Sequence, residues 1–87
     1  MKTYNCTAFS DPSHGWLRVS KTLVLSLGIY ENISSFSYEN GRFVYLEEDR
    51  DYALFLDAMT KVGRPLNIRE VFAKGPSKIR NYRRVNA

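Results

Sequence analysis

Residues 35–46 read Ser35-Phe36-Ser37-Tyr38-Glu39-Asn40-Gly41-Arg42-Phe43-Val44-Tyr45-Leu46, and the Asn-Gly pair in the middle decides what its flanks do. Asn and Gly accept the two positive φ angles of a type I′ turn at little cost, and that turn's twist matches the strands it joins. A turn at Asn40-Gly41 sets Glu39 opposite Arg42, Tyr38 opposite Phe43, Ser37 opposite Val44 and Phe36 opposite Tyr45. Side chains alternate along a strand, so Phe36, Tyr38, Phe43 and Tyr45 share one face, and Ser35, Ser37, Val44 and Leu46 the other. A chain this short needs all the core area available. The aromatic face is therefore expected beneath helices, with Ser35 and Ser37 in water.

The helix for that role follows at once. Tyr52, Phe55, Leu56, Met59 and Val62 recur at helical spacing and form one apolar stripe, which predicts a helix over 49–62. Asp49 is the expected N-cap, Asp57 and Lys61 an i, i+4 pair, and Gly63 with Pro65 the stop.

On the N-terminal side, 2–9 reads as a strand, 10–15 as a loop and Trp16 to Val19 as a short extended piece over the core. Ser20 caps a short helix over 22–27 that Gly28 ends, although Leu23-Val24-Leu25 fits a strand equally. Beyond the long helix, 67–73 reads as a strand with Ile68 and Val71 or Phe72 inward, and Gly75-Pro76 breaks the chain. Residues 79–85 fit a strand or a short helix. The order is β-α-β-β-α-β: one α+β domain over 1–87 with two helices on one face of an antiparallel sheet, as in ferredoxin-like folds, and a basic segment over 74–87.

Composition narrows the chemistry. Cys6 is the one cysteine, so an intramolecular disulfide and a multi-cysteine zinc site are excluded, and a reducing compartment is the easier reading. No basic segment followed by an apolar run opens the chain, and the longest apolar stretch, 23–27, is too short to span a bilayer. Charge is segregated. From Arg64 onward there are seven basic residues and one acid, whereas residues 1–63 hold six basic and eight acidic ones. That asymmetry points to an anionic partner.

Four groups are candidate sites. In the basic segment, Lys78, Arg80, Arg83 and Arg84 with Tyr82 interleaved suit a phosphate backbone with a stacked base; the alternative is a solvated tail. The aromatics Phe36, Tyr38, Phe43 and Tyr45 suit base stacking if exposed, and core packing otherwise. Gly41-Arg42-Phe43-Val44-Tyr45 resembles the central strand of RNA-recognition motifs in part, but lacks the leading basic-Gly pair and the aromatic before the small residue. The acids Glu47, Glu48, Asp49 and Asp51 are weighed as cation ligands against their ordinary place at a helix start, which is favoured; no metal site is assigned. In the loop, Asp11, His14 and Trp16 are candidates for a ligand or partner contact. A general-base role for His14 beside Asp11, or a nucleophilic Cys6, finds no supporting motif.

His14-Gly15-Trp16, Ser34-Ser35-Phe36-Ser37-Tyr38 and Tyr45-Leu46-Glu47-Glu48-Asp49 together resemble uncharacterised small accessory proteins of tailed bacteriophages, over roughly residues 8–60. The resemblance implies a phage accessory protein in the bacterial cytoplasm. Such proteins commonly bind a host component and alter or block it, anti-CRISPR and other anti-defence proteins among them. The expectation is therefore a non-enzymatic protein without cofactor or membrane contact that docks on a host or phage protein or protein–nucleic acid complex. The alternatives are a nucleic-acid-binding module using the basic segment and a binder of a small nucleotide signal.

Overall fold

The computed structural model describes residues 2–86. Strand β1 (Tyr4–Ser10) and strand β2 (Gly15–Ser20) form an antiparallel hairpin, and helix α1 (Lys21–Ser26) leaves β2 directly. Strands β3 (Tyr38–Asn40) and β4 (Phe43–Glu47) make a second hairpin, followed by helix α2 (Asp51–Lys61) and strand β5 (Leu66–Phe72). The chain closes with a 3-10 turn, Lys78–Asn81, and a two-residue strand β6 (Arg83–Arg84). The residues left open between strand and helix, 79–85, are thus both in succession.

The six strands lie in the order β5-β1-β2-β4-β3-β6. Only β1 and β5 run parallel, so the sheet is mixed. The α+β class holds, with both helices on one face. The expected β-α-β-β-α-β order appears in β2-α1-β3-β4-α2-β5, but its first strand is Gly15–Ser20. The N-terminal strand is instead inserted between β5 and β2, which is what creates the parallel pair. Trp16 to Val19, expected as a short piece over the core, is the middle of a central strand, and the loop before it shrinks to 11–14.

The caps explain the helix limits. Ser20 Oγ accepts from Leu23 N at 3.4 Å, and Gly28 takes a positive φ of 73° beyond the last turn, as read from the sequence. The long helix starts later than expected, because Arg50 holds the N-cap position and Asp49 donates its own N–H to the Glu47 carboxylate at 2.9 Å. Asp51 takes over the anchoring, accepting from Ser34 N (3.0 Å), Ser34 Oγ (2.7 Å) and Ser37 Oγ. Asp57 and Lys61 pair at 3.1 Å as expected.

Two expectations about the second hairpin are corrected. Asn40 pairs with Phe43 and Tyr38 with Tyr45, so the loop residues are Gly41 and Arg42 rather than Asn40 and Gly41. Gly41 alone takes a positive φ, 60°, the pattern of a type II′ turn. Glu39 then lies opposite Val44, not Arg42, and contacts Lys21 at 3.6 Å. The faces are also reversed. Val44 and Leu46 join Leu17, Val19, Val24, Phe55 and Met59 beneath the helices, in the main core. Tyr38 and Tyr45 lie on the opposite face with Trp16, and Phe36 falls outside the strand, 52% exposed. Ser37, expected in water, is fully buried, because its hydroxyl bridges Glu47 N and the Asp51 carboxylate. The two tyrosines pack instead on the face that one thin segment covers.

That segment is the C-terminal one. Ile79 is buried against Trp16, Tyr38 and Tyr45, with Phe9 and Tyr82 at the margin, and Val85 reaches the main core. At the far edge, Ile68 packs inward as expected, whereas Phe72 is 70% exposed.

Candidate functional site

The site begins with a buried carboxylate. Asp11 accepts backbone N–H bonds from Ser13 and His14 at 3.0 Å, completing the β1–β2 loop, and one from Ser77 at 3.0 Å across the chain. Arg80 adds a two-pronged contact, Nε to Oδ2 at 2.8 Å and Nη2 to Oδ1 at 2.9 Å. These bonds, the Arg80 guanidinium first among them, hold the Asp11 carboxyl well below the usual carboxylate range. The latch pins the C-terminal segment to the loop. It also consumes Arg80, which the sequence offered as a free cation.

The latch brings the guanidinium of Arg80 over the Trp16 ring, 5.3 Å from its centroid. Further along, Arg84 lies 5.1 Å from the Tyr38 centroid and gives Nη1 to Ser35 O at 2.8 Å. From the third side, Arg50 lies 4.8 Å from the Phe36 centroid. All six residues line one cavity of about 330 Å³, with His14, Glu47 and Asp49 completing the wall. The His14 ring is exposed and 6.2 Å from that of Trp16; its bonds to Asp11 are through the backbone, its N–H donating to the carboxylate and its carbonyl accepting from Asp11 N. Trp16 is 3% exposed, and its indole N–H has no acceptor among the described residues. Trp16 and Glu47 are direct cross-strand partners on β2 and β4, so indole and carboxylate stand side by side.

No family model, curated protein or solved structure matches this chain.

All four candidate groups contribute to one place, the acidic run through Glu47 and Asp49. His14 and Trp16 from the loop, Phe36 and Tyr38 from the aromatic set, and Arg80 and Arg84 from the basic segment share the cavity. Asp11 sits behind it as the latch. Other candidates lie elsewhere: Tyr45 and Tyr82 pack on each other at 5.1 Å, and Phe43 holds Arg18 at 4.9 Å. Lys78 is exposed, and Arg83 points to solvent with Glu39 3.9 Å away. Arg50 was missed, and Glu47 and Asp49 were weighed only as helix-start acids or metal ligands. An arginine within an acidic run gives no sequence signal of facing a tryptophan loop. Cys6 is buried in the main core, where burial raises its thiol pKa and disfavours the thiolate.

Proposed function

We propose that this chain is a non-enzymatic binding protein whose cavity over the outer sheet face receives a small anionic ligand with a planar apolar part. The observation that carries the reading is the convergence of three arginine-on-aromatic stacks on one cavity. A guanidinium resting on a ring keeps its in-plane N–H donors for an oxyanion, and the ring limits the side-chain freedom lost on binding. Arg80 already spends its fork on Asp11, which leaves Arg50 and Arg84 as donors. The size, about 330 Å³, is at the lower end of the range for small-molecule sites, roughly 300–1,000 Å³.

A thermal-shift and calorimetric screen of anionic aromatic compounds tests this. At least one should raise the melting temperature, and Arg50→Ala with Arg84→Ala should abolish the shift without unfolding the protein, since both residues are exposed. A panel that moves nothing refutes the reading.

A second reading, docking on a host or phage macromolecule, draws on the cavity rim. Phe36 is 52% exposed there under Arg50, and Arg83 beside Arg84 leaves 83% of its side chain in solvent. In that reading an accessory protein of a phage modulates or blocks a host component in the bacterial cytoplasm. No described helix is long and apolar enough to cross a membrane. Retention of one protein from bacterial lysate after nuclease treatment, lost with Phe36→Ala, would favour it over the small ligand. The nucleic-acid alternative keeps only Lys78, Arg83 and Arg84 of its five residues, with Arg80 latched and Tyr82 packed on Tyr45. Gel shifts with a steep salt slope would revive it.

A further inference from the structure

We infer that the ligand is a nucleoside monophosphate whose base carries an exocyclic amine beside a ring acceptor, as adenine and cytosine do. This deepens, and rests on, the reading of the cavity as a small-anion site. The decisive feature is that carboxylates line the same small space as the arginines. A plain phosphate or carboxylate gains nothing from Glu47 and Asp49, which would repel it. The ligand must therefore present hydrogen-bond donors at one end and an oxyanion at the other, with a flat apolar body between.

The donor end is defined by the register. Trp16 and Glu47 are direct partners on β2 and β4, and the Trp16 N–H is buried without an acceptor. The Glu47 carboxylate accepts only the Asp49 N–H among the described residues, at 3.1 and 2.9 Å, which leaves lone pairs on both oxygens. One indole donor beside one carboxylate acceptor complements an amine next to a ring nitrogen, the edge shown by adenine and cytosine. An amino acid that gave Glu47 its ammonium and the indole its adjacent carboxylate would leave no oxyanion for Arg50 and Arg84, which argues against amino acids. The phosphate falls to Arg50 and Arg84, whose guanidinium groups rest on Phe36 and Tyr38 at the cavity wall. A polynucleotide fits less well, because Lys74, Lys78 and Arg83 do not line the cavity.

Titration calorimetry on the full chain tests this with AMP, CMP, IMP, UMP, adenosine, phenyl phosphate, phenylalanine and a short single-stranded oligonucleotide. AMP or CMP should bind at least about tenfold tighter than IMP or UMP, which present an oxo group where the amine would be. Glu47→Gln should erase that preference. Because Glu47 is buried and its variant is at risk of misfolding, Arg84→Ala provides a second test and should remove the advantage of AMP over adenosine. Equal binding of phenyl phosphate and AMP overturns the nucleotide assignment while sparing the small-anion reading. Preference for phenylalanine, for the oxo bases or for the oligonucleotide overturns it as well. Silence from every compound overturns both.

Discussion

Asp51 is where the acidic run becomes structure, and removing its carboxylate should cost much of the protein's stability. The side chain is 4% exposed at the first residue of α2, and it ties the helix to the 34–37 loop through three hydrogen bonds, while Ser37 passes the connection on to Glu47 N at 2.9 Å. A hydrogen bond to a charged acceptor contributes about 1.5–3 kcal/mol. In Asp51→Ala the two serine hydroxyls can turn to other acceptors, but the Ser34 amide is fixed by the backbone. The net loss is then about 3–4 kcal/mol rather than three full bonds. An 87-residue domain has a total stability of roughly 4–13 kcal/mol, so this variant should stand near the edge of folding. Asp51→Asn keeps the volume and one acceptor and should lose about 1–2 kcal/mol. For a domain of this size that difference lowers the melting temperature by roughly 4–15 °C. The assay is urea unfolding followed by circular dichroism, with Asp57→Ala as control. Asp57 and Lys61 leave 64% and 75% of their side chains exposed, and losing that pair should cost no more than about 0.5 kcal/mol. Asp51→Ala indistinguishable from the control would refute the anchoring role. So would a rise in wild-type melting temperature with Mg²⁺ or Ca²⁺ that Asp51→Asn abolishes, since the carboxylate would then be holding a cation.

The Asp11 latch makes stability fall in acid. Its folded pKa is depressed, so its contribution is complete above the ordinary carboxylate value, about 3.9, and is lost as pH drops below that; Asp11→Asn should flatten the acid limb of the stability profile. At the second hairpin, Gly41→Ala should destabilise by about 1 kcal/mol, because only Gly41 has a positive φ, whereas Asn40→Ala should be near neutral. The reverse ranking would restore the turn to Asn40-Gly41. Cys6 should react with a thiol reagent in the native protein only as fast as the domain opens, and match an exposed thiol in denaturant; fast native labelling would contradict its burial.

Local features were legible from the residues themselves. Ser20 as a cap, Gly28 as a stop, the Asp57–Lys61 pair and the apolar stripe from Tyr52 to Met59 each depend on neighbours within one or two turns of chain. Alternation along β4 likewise showed that Phe43 and Tyr45 share a face opposite to Val44 and Leu46. It could not show which face the helices would cover, because both are apolar. The period of a strand sorts residues into two sets without saying what lies above either. That choice followed from Ser37, whose burial on the helix side depends on Asp51, and from Ile79, which covers the other side. The cavity lay further beyond reach. His14 and Trp16, Phe36 and Tyr38, Glu47, Asp49 and Arg50, and Arg80 and Arg84 meet only because the strand order sets β2, β4, β3 and β6 side by side and the Asp11–Arg80 pair fastens the end of the chain across them. Capping and periodicity are short-range effects carried by adjacent residues. Convergence of groups up to 70 positions apart is set by which strands pair, and pairing is decided by the free energy of the whole chain.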